Sequence, residues 1–346
     1  MTAPAPPRVR HAWYVLAWSH EVRREPIVRT LYGDPIVVYR GRSGQIGAFL
    51  DRCPHRGVPL SEGSVAGDHL QCAYHGWEFD PTGQCVAIPS FLGDPAKAGR
   101  CATRFAVRER QGVIWVWATR DEEPPVEPYD FEYADRPGYT VIRRDVRAAA
   151  TVHAVAENAL DVPHTAFLHG GLFRRADVRN PITAEVRRWH DRVEAEYIGE
   201  PRPTGLVARL LSPSGGLVTH FDRFFLPSVV QVEYRIGDEN HFVITAACTP
   251  ADDYDTRLYA LAALKSRIPG FLLRLLQPFG LRIFRQDAAI LALQTENTRH
   301  FGEEVYASTE VDLLGPHILK LLHRAERGEV GAPRAEPWAR TVQMEA

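Results

Sequence analysis

Over the first 120 residues, apolar and polar positions alternate in short runs: PIVVYR, QIGAFLDRC, WEFD, QCVAI and FAVRERQGVIWVWAT, punctuated by GRSG and PTG. Alternation with β-branched and aromatic enrichment between Gly, Pro and Asp turns predicts a small all-β domain. The stretch RDEEPPVEPYDFEYADRPG, residues 120–138, breaks the pattern. Acidic and proline-rich, it cannot continue a central strand and reads as a linker, which divides the chain into domains at 1–125 and 126–346. Beyond it, YTVIRRDV predicts a strand and AAATVHAVAENALD a helix that Pro163 ends or kinks. Further strands are predicted for ITAEVRRWHDRVEAEYI, LVTHFDRFFL, SVVQVEYRI, HFVITAACT and TRLYALAALKS. A long helical tract follows from Phe271 to about Thr298, broken at Pro278 and Gly280. The last twenty residues, rich in Gly, Pro and Ala, read as a loosely ordered tail.

Length and composition add bounds. The 346 residues exceed the roughly 250 to 300 at which one core stops growing, which agrees with two domains. With 45% hydrophobic and 24% charged residues and a net charge of -2, nothing draws the chain to nucleic acid or an anionic membrane. The start MTAPAPPRVRHAWYVLAW has no apolar stretch behind a basic one, and no window approaches the ~18 apolar residues of a membrane span. A cytoplasmic enzyme is the expectation. Five cysteines in such a chain argue against a disulfide framework and turn attention to clustered ones as metal ligands.

One cluster lies in DRCPHRGVPLSEGSVAGDHLQCAYHGW, residues 51–77. Cys53 and His55 form a CxH pair, and after sixteen intervening residues Cys72 and His75 form CxxH. Each loop thus supplies one thiolate and one imidazole. A zinc finger usually pairs its cysteines and its histidines separately, whereas a Rieske [2Fe-2S] cluster takes two cysteines on one iron and two histidines on the other. A zinc site of unusual order is the alternative. Pro54, Gly57 and Gly76 suit close approach of backbone N–H groups to sulfur, and Trp77 can shield one side of a cluster. Cys85, Cys101 and Cys248 read as buried small hydrophobes, and His69 as a surface residue.

CPHRG and CAYHGW resemble the cluster loops of the catalytic subunits of Rieske non-heme iron oxygenases, and the resemblance extends over nearly the whole chain. It implies an α+β architecture: an N-terminal all-β Rieske domain and a C-terminal helix-grip (START-like) domain, an antiparallel sheet curled around a long helix. It also implies a mononuclear iron in that second domain. The family motif there is an Asn, then an Asp, a His and a second His, and ENALDVPHTAFLH supplies Asn158, Asp161, His164 and His169. Two imidazoles and a carboxylate on one face form the facial triad that binds Fe(II) with open positions for O2. At ~100° per residue His164 and His169 diverge by about 140° on one helix, so a break is required, and Pro163 is the expected one. Either histidine alone reads first as a core residue satisfied by backbone carbonyls.

The family takes its carboxylate from a later helix, which points to Asp287 in FRQDAAILALQ, with Gln286 where the family often carries an acid. The competing acids Glu296, Glu303, Glu304 and Asp312 lie in more polar stretches. The resemblance further implies that Asp161 is no ligand but bridges His164 and the His75 of a neighbouring subunit in a head-to-tail homotrimer, because the two centres of one chain lie too far apart for fast transfer. Asn158 is implied near the iron, as a distant fourth group or a hydrogen-bond donor beside it.

No GxGxxG follows a strand, so NAD(P)H acts only indirectly, through a separate reductase with or without a ferredoxin. The HAWYVLAW start and compact motif resemble the single-subunit branch with vanillate demethylase, ketosteroid hydroxylase and pheophorbide oxygenase relatives. That implies monooxygenation or oxidative demethylation of a small, hydrophobic organic substrate. Two alternatives stand beside it: desaturation or cyclisation at the same iron, and a non-catalytic Rieske electron carrier with a lipid-binding domain. The tract RIPGFLLRLLQPFGLRIF reads as a buried helix pair with basic edges, or as a hydrophobic entrance or membrane contact.

Overall fold

The computed structural model describes residues 5–169, 180–200, 218–237, 240–275, 277–302, 306–329 and 336–345. The chain forms two compact units: an N-terminal unit of Arg10–Asp130 with Thr249–Asp252, and a C-terminal unit of Met1–Val9, Phe131–Cys248 and Asp253–Ala346.

The N-terminal unit is all-β. Its strands are β1 (Trp13–Trp18), β2 (Ile27–Leu31), β3 (Asp34–Arg40), β4 (Ile46–Leu50), β5 (Ser64–Ala66), β6 (His69–Gln71), β7 (Glu78–Phe79), β8 (Cys85–Ala87), β9 (Phe105–Arg110) and β10 (Val113–Arg120). They form three sheets, ordered β1-β10-β9, β2-β3-β4 and β5-β6-β7-β8. Val37, Tyr39, Phe49, Leu60, Leu70 and Phe79 make one buried cluster in which Cys53 and Cys72 are embedded. That apolar packing holds the two cysteine loops in place, since the loops themselves contain almost no regular structure.

The C-terminal unit is built on β11 (Thr140–Ala148), β12 (Pro181–Arg188), β13 (Arg192–Ile198), β14 (Val218–Phe225), β15 (Val229–Ile236), β16 (Asn240–Asp252), β17 (Asp255–Lys265) and β18 (Trp338–Glu345). They form one antiparallel sheet, ordered β11-β17-β16-β15-β14-β13-β12-β18. Alternation sorts its side chains: Val218, His220, Asp222 and Phe224 are the buried positions of β14. Five described helices accompany it: α1 (Val152–Leu160), α2 (His164–Leu168), α3 (Gly270–Arg274), α4 (Gln277–Phe301) and α5 (Gly315–Glu326). Thr151 caps α1, its side-chain oxygen accepting the Ala154 N–H at 3.1 Å.

Several sequence expectations are corrected. The run ITAEVRRWHDRVEAEYI is two strands, because Trp189 turns the chain back with a 2.9 Å N–H bond to the Arg192 carbonyl and β12 pairs with β13. Pro278 and Gly280 do not break α4, which runs through both. They sit in its first turn, where the N–H that proline lacks has no intrahelical partner. The tail is not loose: β18 pairs with β12 from Trp338 to Glu345 and buries Val342 and Met344. Its alternation is hidden by the neighbouring Gly, Pro and Ala. Cys101 is exposed, whereas Cys85 and Cys248 are buried. Among the described residues no helix is long and apolar enough to cross a membrane.

Candidate active site: two clusters of metal-ligating side chains

The two cysteine loops close in the same way. The Cys53 N–H donates to the Val58 carbonyl (2.8 Å) and the Gly57 N–H to the Cys53 carbonyl (2.9 Å). In the second loop, Cys72 N–H reaches the Trp77 carbonyl (2.8 Å) and Gly76 N–H the Cys72 carbonyl (3.0 Å). Gly57 and Gly76 take φ of 75° and 68°, a left-handed conformation costing other residues about 1–2 kcal/mol. A Cβ on Gly76 would also stand 2.9 Å from Pro89 Cγ.

Both thiols are buried, at 2% and 3% exposure. Burial pushes the Cys53 thiol up to about 11, with the backbone N–H groups of His55 and Arg56 opposing that shift and the Cys72 sulfur within hydrogen-bond reach. The imidazoles of His55 and His75 lie side by side with centroids 4.5 Å apart, His75 being exposed. Trp77 stacks on His55 at 4.5 Å and 6°. His55 Nδ1 is buried without a hydrogen-bond partner, which costs roughly 1–3 kcal/mol unless something takes its lone pair. A sulfur pair inside and an imidazole pair toward the surface fit a two-metal cluster in which one iron takes both cysteines and the other both histidines.

The second cluster begins where α1 ends. Asp161 leaves helical geometry (φ -91°, ψ 115°) while its N–H still reaches the Asn158 carbonyl at 3.4 Å; Asn158 itself is half-buried in the last turn of α1. The Asp161 carboxylate then accepts the His164 N–H at 2.9 Å, as a capping residue does, and stands 3.2 Å from His164 Nδ1. Pro163 is not the break between the two histidines, because it precedes both. The chain instead leaves the helix after Leu168, and His169 adopts φ -109°, ψ 30°. The rings of His164 and His169 come to 5.2 Å at 76°.

From α4, Asp287 Oδ1 lies 2.9 Å from His169 Nε2 and 3.6 Å from His164 Nε2. One ligand atom from each of the three lies within 4.8 Å of the others. Asp287 Oδ1 is nevertheless a buried oxygen without a hydrogen-bond partner, a cost that a bound cation would remove. Burial disfavours a charged His164, but the carboxylates of Asp161 and Asp287 outweigh it and hold the imidazole up at about 9. A cation bound there would take the place of the proton. Among the described acids, Glu296 is exposed and Asp312 accepts from the Thr309 N–H; Glu303 and Glu304 lie outside the described residues.

Some contacts escaped the sequence reading. Gln286 Oε1 lies 3.1 Å from His169 Nδ1. On the sheet, His220 is buried between Glu200 (2.7 Å) and Asp222 (3.0 Å), with Tyr197 and Tyr234 stacked on its two neighbouring strands. Burial raises the Tyr197 phenol well above its usual value, with Asp222, Tyr234 and Asp161 adding to the rise. The period of β14 places His220 and Asp222 inward, and that was the available signal.

Residues 12–93 match the Rieske [2Fe-2S] domain family, and residues 148–328 match the vanillate O-demethylase oxygenase C-terminal domain family. The chain is 27% identical to the vanillate O-demethylase oxygenase subunit of Pseudomonas sp. (strain HR199 / DSM 7063), over 96% of this chain and 99% of that one. It is 37% identical to the oxygenase component of dicamba O-demethylase from Stenotrophomonas maltophilia, over 66% of this chain and 60% of that one. Protein TIC 55 of Pisum sativum is 30% identical over 82% of this chain, which spans 51% of that longer protein. In fold, dicamba monooxygenase bound to 3,6 dichlorosalicylic acid superposes with a TM-score of 0.79 at 24% identity, over 94% of this chain and 100% of the other. Both clusters fall within the matched segments, and the chain belongs to the family of Rieske oxygenases that carry the vanillate O-demethylase-type C-terminal domain.

Proposed function

We propose that the chain is the terminal oxygenase component of a monooxygenase system, hydroxylating or oxidatively demethylating a small, hydrophobic organic substrate with O2. Electrons come from NAD(P)H through a separate reductase, with or without a ferredoxin. The observation that carries this reading is the convergence of His164, His169 and Asp287 within 4.8 Å, from segments more than a hundred residues apart. A Rieske electron carrier with a lipid-binding domain has no need of that convergence. The relatives named for O-demethylation of vanillate and dicamba favour demethylation among the oxygenase outcomes.

In this reading Cys53, Cys72, His55 and His75 hold the [2Fe-2S] cluster, and Trp77 shields it by stacking on His55. His164, His169 and Asp287 would hold Fe(II), two imidazoles and a carboxylate being a donor set suited to it. When bound, the two groups supply single-electron storage and O2 activation respectively. Asp161 fixes His164 through its Nδ1 edge, and Asn158 flanks the site from the last turn of α1. The same Asp161 carboxylate, 26% exposed, is proposed to reach His75 of the partner subunit in a head-to-tail homotrimer. His75 is itself exposed. A cytoplasmic location agrees with five free cysteines.

Iron content tests the reading: about three atoms per chain for the oxygenase against about two for a carrier. His164→Ala, His169→Ala and Asp287→Ala should each keep the cluster's visible spectrum, lose about one iron per chain and lose turnover. Full iron and turnover in Asp287→Ala would remove it from the ligand set.

A further inference from the structure

We propose that Gln286 is a positioning residue of the mononuclear site, holding His169 as a ligand through a neutral amide acceptor, whereas a carboxylate stands beside the corresponding nitrogen of His164. The proposal rests on the reading of His164, His169 and Asp287 as iron ligands.

Two consecutive residues of α4 engage the two nitrogens of one imidazole. Nδ1 of His169 lies 3.1 Å from Gln286 Oε1, and Nε2 lies 2.9 Å from Asp287 Oδ1. Consecutive helix residues diverge by about 100°, so the ring spans both directions, and turning it would take Nδ1 away from Gln286. The ring is 2% exposed, so water cannot substitute for Gln286.

A carbonyl oxygen accepts and never donates. It therefore keeps the ring proton on Nδ1 and leaves the Nε2 lone pair facing Asp287 and the metal position, which is the tautomer a ligand histidine needs.

His164 differs. Its Nδ1 lies 2.5 Å from the backbone carbonyl oxygen of Asp161 and 3.2 Å from the carboxylate of the same residue. A carboxylate draws the Nδ1 proton toward itself and makes the far nitrogen a stronger donor, whereas an amide does so only weakly. The site is thus asymmetric: the His164 ring has a carboxylate beside its carbonyl acceptor, whereas the His169 ring has an amide oxygen. With Asp161 and Asp287 already present, a neutral group at 286 also avoids a third carboxylate beside the metal position.

The experiment uses the full chain with its cluster oxidised, so that the cluster is silent in electron paramagnetic resonance. Fe(II) affinity is measured by chelator competition, and ligand symmetry by the resonance of the nitric oxide adduct of the Fe(II) site. Gln286→Leu keeps the size but leaves Nδ1–H buried without an acceptor, and should weaken Fe(II) by about 10- to 100-fold while altering the rhombicity of the adduct. Gln286→Glu restores an acceptor, so affinity should recover to within a few-fold of wild type, while the added charge still shifts the rhombicity. A residue that only packed the helix would not show this split between affinity and spectrum. Wild-type affinity and spectrum in Gln286→Leu would overturn the proposal, as would an unshifted spectrum in Gln286→Glu, which alone decides if the leucine variant does not fold. His169→Ala separates the two levels. If it keeps wild-type affinity, the ligand reading has failed; if it loses iron while Gln286→Leu does not, only the role of Gln286 has failed.

Discussion

Asp161 concentrates three tasks in one side chain. It ends α1, accepts the His164 N–H at 2.9 Å and faces the His164 ring at 3.2 Å. Asparagine preserves the first two, being as good a capping residue, and loses only the charge. Asp161→Asn should therefore fold and fill both metal sites, while stopped-flow reoxidation of the reduced cluster, with substrate and O2 present, slows by about 100-fold or more. Reoxidation at the wild-type rate would remove Asp161 from the path between centres. Gly76 makes a different demand, since its φ of 68° and the nearby Pro89 leave no room for a side chain. Gly76→Ala should cost the loop about 1–2 kcal/mol or more, read as a lower cluster absorbance per chain at unchanged helix and strand content. Cys53, His55, Cys72 and His75 were legible as spacing because each loop is local in sequence. The role of Gln286 was not, because a lone amide beside an aspartate carries no pattern until His169 is brought against it.

Single strands and helices explain more of the electrostatics than single residues do. On β14 the inward period sets His220 beside Asp222, and the start of the chain beyond β13 brings Glu200 to its other nitrogen. Burial disfavours the His220 imidazolium, but Asp222 and Glu200 outweigh it and hold it at about 9. A pKa raised from about 6.5 stabilises the fold fully below pH 6.5 and loses that contribution, roughly 3 kcal/mol, as pH rises through 9. Glu233 on β15 runs the other way. Burial raises it, yet Arg223, Arg235 and His241 bring it down to about 2, so its contribution is whole above about pH 4.5 and lost as pH falls through 2. The melting difference between wild type and His220→Gln should accordingly be largest near pH 5 to 6 and close toward pH 9. A difference independent of pH would mean that His220 is neutral in the fold. At this scale the strand alternation was readable, whereas β18 and the uninterrupted α4 were not. Composition spoke for a loose tail, and Pro278 spoke for a break before its place in the first turn was known.

At the scale of the whole molecule, the proposed coupling of Asp161 to His75 of the partner subunit requires more than one copy. Sedimentation should give three times the 38.9 kDa chain mass. A monomer mass at full turnover would end the trimer reading. Whatever is local was legible in the chain alone: the two cysteine loops, the Asp161, His164 and His169 motif, the period-two strands and the change of pattern near residue 130. Backbone geometry and short-range hydrogen bonding over a few residues suffice for these. The resemblance already pointed to Asp287 over the acids in more polar stretches, but its meeting with His164 and His169 is a tertiary contact: Asp287 is more than a hundred residues away until α4 carries it to 2.9 Å from His169. Only the tertiary structure decided that Gln286 backs His169, that His220 sits between two carboxylates and that residues 338–345 complete an edge of the sheet. Those facts depend on contacts between distant segments, and their free energy comes from burial and hydrogen bonding that exist only once the segments have packed.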